Sequence, residues 1–369
     1  MYLVFLGAGR NQLPYILEAK ARGIKIIAID RDPFADGKKY ADIFLNERID
    51  DVENIFQKLK KYNIGGVLSE QSDSAMLSVA YLNTKFNLRG LQYKEAIKIR
   101  DKLKQRELLT EIGVKQPKYI IADDRNDSNF KALKFLHELI IKPRVGQSSV
   151  GVDLLKENIE IIISNEYIIE EYVSGLDISV DGFIADEIFF TCYCEKLKYK
   201  NTFVDKILYA ELNVPIQLQK VVKKIIANIN VRDVFFHMEF IFSSETYYVV
   251  ELTFRGGGSG LSTVVASYVS RANSVVNRIN ILLGEKLEIP IINNNYSIMI
   301  FGEEEELYAY GNRLKSKIDN YSFDVQIVNK SVSSFIKPFS GSERRACGYF
   351  FMKKENEVMA KDIFKEMNL

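Results

Sequence analysis

The chain has 369 residues, enough for two or three domains with large cores. Its 50 lysines and arginines balance 49 aspartates and glutamates to a net charge of +1, so no strongly basic balance points to nucleic acid. Three cysteines without a CxxC pair exclude a disulfide framework, two histidines exclude a histidine-rich zinc site, and no run of about 18 apolar residues offers a membrane span.

Residues 2–6 (YLVFL) form an apolar run that ends in Gly7-Ala8-Gly9. There is no basic segment ahead of it as in a signal peptide, and the expectation is a cytoplasmic protein. A helical pattern over 12–22 and a second buried strand over 25–30 complete a βαβ opening. A helix over 50–62, a strand over 66–68 and a helix over 74–86 continue it. Alternating strands and helices predict a doubly wound parallel sheet. The stretch 87–92 reads as a linker to a new unit near Lys94. An amphipathic helix over 101–112 stops at Gly113. Strands over 118–121, 139–142, 151–155 and 167–172 alternate with helices over 128–136 and 156–164.

From Asp177 to Glu211 the pattern is antiparallel, with a loop expected at 196–202. Cys192 and Cys194 alternate on one strand face, where buried packing accounts for them. A helix over 215–230 precedes the segment HMEFIFSSETYYVVELTFRGGG, residues 237–258. Helices over 261–269 and 274–283 end at Gly284, and Pro290 marks a boundary. Strands over 296–301, 323–328 and 348–352 belong to a last α+β unit. The expected domains are 1–93, 94–289 with a lid over about 115–175, and 290–369.

Four segments carry chemistry. GAGRNQ has two glycines for a tight turn and Asp30 in the position that would meet a ribose, but Gln12 stands where a dinucleotide fingerprint has its third glycine. It reads as the strand-to-helix turn of a doubly wound domain rather than an NAD site. IIKPRVGQSSVGV puts Lys142 at a strand end before a loop with Gly146, Ser148, Ser149 and Gly151, whose amides and hydroxyls suit phosphate oxygens. It is not a Walker loop, and the alternative is a hairpin loop without a ligand. In IIEEYVSGLDIS a strand ends in Glu170-Glu171-Tyr172-Val173, turns at Gly175 and resumes with Asp177; such a linker can give an adenine a backbone donor and acceptor and its ribose a carboxylate, and the alternative is an ordinary acidic turn. Lys102, in a first helical turn, opposes the helix dipole; a functional task would explain its place, and the alternative is a solvent-facing lysine.

In residues 237–258 the alternation predicts a hairpin centred near Glu245, which sets Glu239 opposite Glu251. Facing side chains on one face have Cβ atoms roughly 5 Å apart. Two carboxylates there repel unless a cation stands between them, and a hard divalent ion on a phosphate substrate is the usual case. Thr253 and Arg255 follow on the same face. The alternative is a solvated hairpin with two surface glutamates.

In chain order, DK at 101–102 with RELLTEIGVKQPKY, IKPRVGQSSVGV, IIEEYVSGLDIS and HMEFIF…YYVVELTFRGGG resemble the ATP-grasp superfamily, a resemblance that covers residues 1–290. The resemblance implies a Rossmann-like first domain, two α+β subdomains clamping ATP and a small C-terminal α+β unit. It implies that Lys102 and Lys142 touch ATP phosphates and that the loop from Gly146 to Gly151, with Ser148 and Ser149, closes over them. Glu170, Tyr172 and Val173 would line the adenine, and Asp177 would hold the ribose. Glu239 and Glu251 would bind Mg²⁺ or Mn²⁺, with Thr253 as a weaker ligand where the family commonly has Asn. Arg255 would hold a carboxylate or acyl-phosphate, so Arg255 and Lys142 are the expected catalytic residues. The implied activity is ADP-forming carboxylate–amine ligation of small molecules, with amino acids as substrates, and a homodimer is the family's habit. A bicarbonate-activating carboxylase and a nucleotide-binding module without turnover are the alternatives. Glu70 and Asp73 are candidates to meet an amino group, Arg344 and Arg345 to reach a substrate carboxylate, and Lys196, Lys198 and Lys200 to close a loop on phosphates.

Overall fold

In the computed structural model the described residues are 1–121, 131, 138–146, 149–155, 166–200, 202–327 and 346–366. The helices expected over 128–136 and 156–164 lie outside them apart from residue 131, as do Ser148, Arg344 and Arg345.

The first four strands are β1 (Tyr2–Leu6), β2 (Lys25–Ile29), β3 (Ile43–Leu45) and β4 (Ile64–Leu68). They pair in parallel in the order β3-β2-β1-β4. Their continuous apolar runs are what a sheet covered on both faces requires. α1 (Leu13–Ala21) and the later helix Ser274–Leu283 cover one face through Tyr15, Ile16, Ile279 and Leu282. α2 (Val52–Leu59) and α3 (Asp73–Phe86) cover the other through Ile55, Leu59, Val79 and Leu82. At the glycine turn the Ala8 N–H donates to the Asp30 carboxylate at 2.7 Å. Asp30 thus caps the turn that a dinucleotide phosphate would otherwise use.

The region read as a linker leads into α4 (Tyr93–Arg100), followed by α5 (Lys102–Glu111). Asp101 separates the two and caps α5 by accepting the Leu103 N–H at 3.0 Å. A small antiparallel sheet follows: β5 (Tyr119–Ile121), β6 (Leu139–Pro143), β7 (Asp153–Leu154) and β8 (Tyr167–Glu171), in the order β5-β8-β6-β7.

The large sheet has eight strands in the order β13-β12-β9-β10-β11-β14-β16-β15, every neighbouring pair antiparallel. These are β9 (Leu176–Ile184), β10 (Ile188–Lys198), β11 (Asp205–Glu211), β12 (Val234–Ser243), β13 (Thr246–Thr253), β14 (Asn295–Gly302), β15 (Ser322–Ile327) and β16 (Ala346–Lys353). Strands from residue 295 onward continue the sheet by the pairing of β14 with β11. α6 (Ile216–Ala227) packs Leu218, Val222 and Ile225 on the face that carries Ile178, Val180, Phe236, Met238 and Phe240. By the period of two, Asp177, Ser179, Asp181, His237 and Glu239 occupy the opposite face. The helix Ser274–Leu283, here α7, ties this unit to the first sheet. α8 (Glu304–Lys315) and α9 (Glu357–Glu366) cover the far strands. One expectation is corrected: β10 runs through Lys198, so Lys196 and Lys198 stand on a strand, not on a loop.

Candidate active site

The acidic hairpin turns through Ser244 and Glu245, both left-handed at φ +48° and +57°. Pairs run from Ser243↔Thr246 to Phe240↔Val249, and then the register shifts. Beyond the shift, Glu239 faces Glu251, Met238 faces Leu252 and His237 faces Thr253. The turn is therefore centred half a residue before Glu245, and a bulge at Val250 restores the expected pair. Arg106 of α5 holds the bulge, donating Nη1 to the Val249 carbonyl at 3.1 Å and Nη2 to the Val250 carbonyl at 2.7 Å.

Each glutamate has a lysine. Lys196 Nζ lies 2.5 Å from Glu239 and 3.4 Å from Asp205. Lys102 Nζ lies 2.9 Å from Glu251 and donates to the Gly146 carbonyl at 3.1 Å. Lys102 is buried, so its place in the first turn of α5 is explained by Glu251 and not by solvent. Burial disfavours its ammonium, but Glu251, with Asp73 and Glu170, outweighs that and raises its pKa. Burial would raise the Glu239 pKa, but Lys196 and His237 hold it well below the carboxylate range. His237 bridges inward: Nδ1 is 2.8 Å from Asp181 and Nε2 is 3.4 Å from Glu239. Burial opposes its charge, yet Asp181 lifts the imidazolium pKa to about 9.

The small sheet supplies the facing wall. Glu170 is fully buried and binds Arg106 at 2.7 and 3.2 Å and Lys142 at 2.7 Å. Burial pushes the Lys142 ammonium down to about 8, against the opposing pull of Glu170. The Glu170 carboxylate is thus held by two cations at the cavity wall. The Tyr172 N–H is likewise committed, to the Glu138 carbonyl at 2.7 Å. Asp177 pairs with Lys198 at 2.5 Å, and burial still raises its pKa. Ser149 Oγ donates to the Phe203 carbonyl at 2.9 Å, so the glycine loop touches the β10–β11 connection.

Between these walls lies a cavity of about 450 Å³. Lys102, Lys142, Gly146, Ser149, Glu170, Tyr172, Val173, Asp177, Glu239, Glu251, Thr253 and Arg255 all line it. Gly151 does not; its φ is +75°, and a side chain's Cβ there would lie 2.9 Å from the Pro143 ring, so its glycine has a local reason. Glu70 is also set back, 1% exposed, whereas Asp73 lines the cavity. Arg255 pairs with Asp73 at 2.7 and 2.6 Å, and Thr253 Oγ1 donates to Asp73 at 3.0 Å. Lys200 is exposed and does not line the cavity.

Sequence reasoning placed Lys196 on a loop instead of beside Glu239, and missed His237 with Asp181, and Arg106. For the first two the signal was present. Lys196 continues the Cys192–Cys194 face by period two, and His237 precedes Glu239 by two. Arg106 had none, because its partners are 64 and 143 residues away.

Among the described residues no three His, Cys, Asp or Glu side chains form a metal cluster. Two facing carboxylates and a hydroxyl nonetheless suit Mg²⁺, which binds through one or two carboxylates plus phosphate oxygens and water. Each of these glutamates is paired with a lysine, Glu239 with Lys196 and Glu251 with Lys102.

Residues 154–263 match the family model for the ATP-grasp domain. The chain carries an ATP-grasp domain. Over 347 residues, 89% of the chain and 90% of the relative, it is 24% identical to the 3-methyl-D-ornithine--L-lysine ligase of Methanosarcina barkeri. Over 176 residues it is 27% identical to the carbamoyl phosphate synthase large chain of Thermoanaerobacter pseudethanolicus, covering 43% of this chain and only 16% of that protein. The likeness in fold to solved structures extends over the whole chain. The L-amino acid ligase from Bacillus licheniformis superposes with a TM-score of 0.74 at 16% identity, over 99% of this chain and 97% of that one. N5-carboxyaminoimidazole synthetase from Staphylococcus aureus gives 0.74 at 19% identity, over 100% and 97%. Equal likeness to two such proteins makes the fold silent on the substrate.

Proposed function

We propose that the chain is an ATP-dependent carboxylate–amine ligase acting on amino acids. The observation that carries this reading is the convergence of Glu239, Glu251, Lys102, Lys142 and Arg255 on one cleft. A transferring phosphoryl group needs positioned positive charge more than acid–base chemistry, and this cleft is built of lysines, an arginine and carboxylates that suit a divalent cation. Glu239, Glu251 and, more weakly, Thr253 would hold Mg²⁺, which supplies charge neutralisation on phosphate oxygens. Lys102 and Lys142 would neutralise phosphates from the two walls. Asp177 would meet the ribose, and Tyr172 and Val173 would flank the adenine.

In the first step a substrate carboxylate oxygen attacks the γ-phosphorus, giving an acyl-phosphate and ADP. In the second an amine attacks the acyl carbon, phosphate leaves and an amide forms. Arg255 would hold the carboxylate and then the acyl-phosphate. The lysine ligase relative, alignable over nearly its whole length, supports amino-acid substrates. The likeness to N5-carboxyaminoimidazole synthetase makes bicarbonate the second arm of the test.

The test is ADP release from MgATP with the twenty amino acids, singly and in pairs, and with bicarbonate separately. ADP that requires two amino acids supports the ligase and names its substrates. A response to bicarbonate alone moves the chain to carboxylation. ATP binding without ADP in any arm leaves a nucleotide-binding module and sinks the ligase reading.

A further inference from the structure

After β4 the chain offers two carboxylates near the substrate end of the cleft, and the fold treats them differently. Glu70 is sealed: it accepts the Gly256 N–H at 2.8 Å and pairs with Arg278 at 2.5 Å. Asp73 lines the cleft and binds Arg255 through Nε at 2.7 Å and Nη2 at 2.6 Å. This pairing occupies one side of the guanidinium. Nη1 donates to the Gly256 carbonyl at 2.9 Å. A guanidinium has five N–H donors in a fixed fork. With one side turned to Asp73, the end of the fork remains for a ligand in the cleft.

The surrounding backbone is strained on both sides of this gap. Gln71 and Ser259, neither of them glycine, sit at φ +60° and +52°. They are joined through the Gly260 N–H, which donates to the Gln71 side chain at 3.2 Å. Such conformations persist where surroundings over-determine them, and they cluster at ligand clamps.

We propose that Asp73 and Arg255 form a zwitterion clamp. Arg255 takes the carboxylate to be activated, and Asp73 takes the ammonium on the adjacent carbon. The inference rests on the ligase reading above and names the class of its first substrate as an α-amino acid. The physical reason is alternation of charge. A plain carboxylate on Arg255 lies beside the Asp73 carboxylate and is repelled, whereas an α-ammonium between them completes a ring of alternating charges. Asp73 therefore acts against acids that lack the amine, bicarbonate included, as well as for those that carry it.

The test compares each amino acid with its des-amino acid, alanine with propionate and leucine with 4-methylpentanoate, using hydroxylamine as a common acceptor that traps the acyl-phosphate as a hydroxamate. The wild type should favour the amino acid. In Asp73→Asn the amino-acid kcat/KM should fall about 30-fold or more, chiefly through KM, because one partner of a desolvated charge pair is lost. The value for the des-amino acid should fall much less, so the preference collapses, and Asp73→Glu should restore part of it. Equal losses for both acids would overturn the clamp and leave Asp73 as a support for Arg255 alone. Calorimetric titration of the same acids into wild type and Asp73→Asn, with MgADP present, separates this inference from the ligase reading. Amino-acid binding that depends on Asp73 supports the clamp even if no hydroxamate forms. Equal binding of both acids to the wild type overturns it.

Discussion

Lys142 shows how one residue's surroundings set its chemistry. Its ammonium is held down near 8 by burial, with Arg106 and Lys102 adding to the effect and Glu170 opposing it. Phosphate oxygens beside it would favour the charged form and raise that value. Near pH 8.5, where the empty site is mostly neutral, MgATP binding should take up part of a proton, at most about one, and near pH 6.5 Lys142 should contribute none. Calorimetry in two buffers of different ionisation heat reads this directly, and Lys142→Met should remove the uptake. Glu251→Gln should abolish ADP release while circular dichroism stays unchanged, because the amide keeps an acceptor for Lys102 but loses the charge a metal needs. Activity retained at wild-type level would refute the metal assignment. Asp177→Ala should raise the KM for ATP more than it lowers kcat, since ribose contacts hold ground state and transition state alike. A loss in kcat alone would contradict the ribose role.

Among the elements, the acidic hairpin was legible in outline and misplaced in detail. Alternation and the Ser243–Thr246 stretch gave the right facing pair, Glu239 and Glu251, from a turn centre half a residue off. The bulge at Val250 that compensates depends on Arg106, whose guanidinium meets two strand carbonyls and Glu170 at once. A bulge held from a distant helix leaves no mark in the strand's own sequence. Arg106→Met should cost about 3–5 kcal/mol, the typical loss when one partner of a buried pair is removed. Urea unfolding measures it, and a change within error would show that the carbonyls and Glu170 find other partners. Gly182→Ala tests the pairing of β9 with β10: a Cβ there would run into the Phe189 carbonyl oxygen and the Phe236 ring. The expected loss is about 1–3 kcal/mol, as for overpacking.

At the scale of the whole molecule, charge joins parts that the chain visits far apart. Glu70–Arg278 and Asp73–Arg255 tie the end of β4 and the start of α3 to α7 and to the segment after β13 across 208 and 182 residues. Burial would raise the pKa values of Asp73 and Glu170, but Arg255 in one case and Arg106 with Lys142 in the other hold them below the usual range. A carboxylate depressed in the folded state contributes fully above its unfolded value, near 4, and loses that contribution as pH falls through its folded value. The urea midpoint should therefore hold or rise slightly from about pH 7 to 5, where the raised His237 imidazolium adds stability, and fall below about pH 4.5. Glu170→Gln should flatten that acid limb, and an unchanged limb would remove Glu170 from the account.

The sequence alone determined the strand and helix periods, the doubly wound opening, the hairpin with its facing glutamates, and the order of motifs that resembles an ATP-grasp enzyme. Each of these is carried by residues close together in the chain, where spacing fixes which face a side chain takes. The tertiary structure decided what each charge is paired with. Lys196 moved from an expected loop to a strand beside Glu239, Lys102 gained Glu251 as a partner, and Glu170 gained Arg106 and Lys142. Asp73, and not Glu70, came to face the cleft. Ion pairs between distant segments depend on how sheets and helices dock, and no local pattern records that.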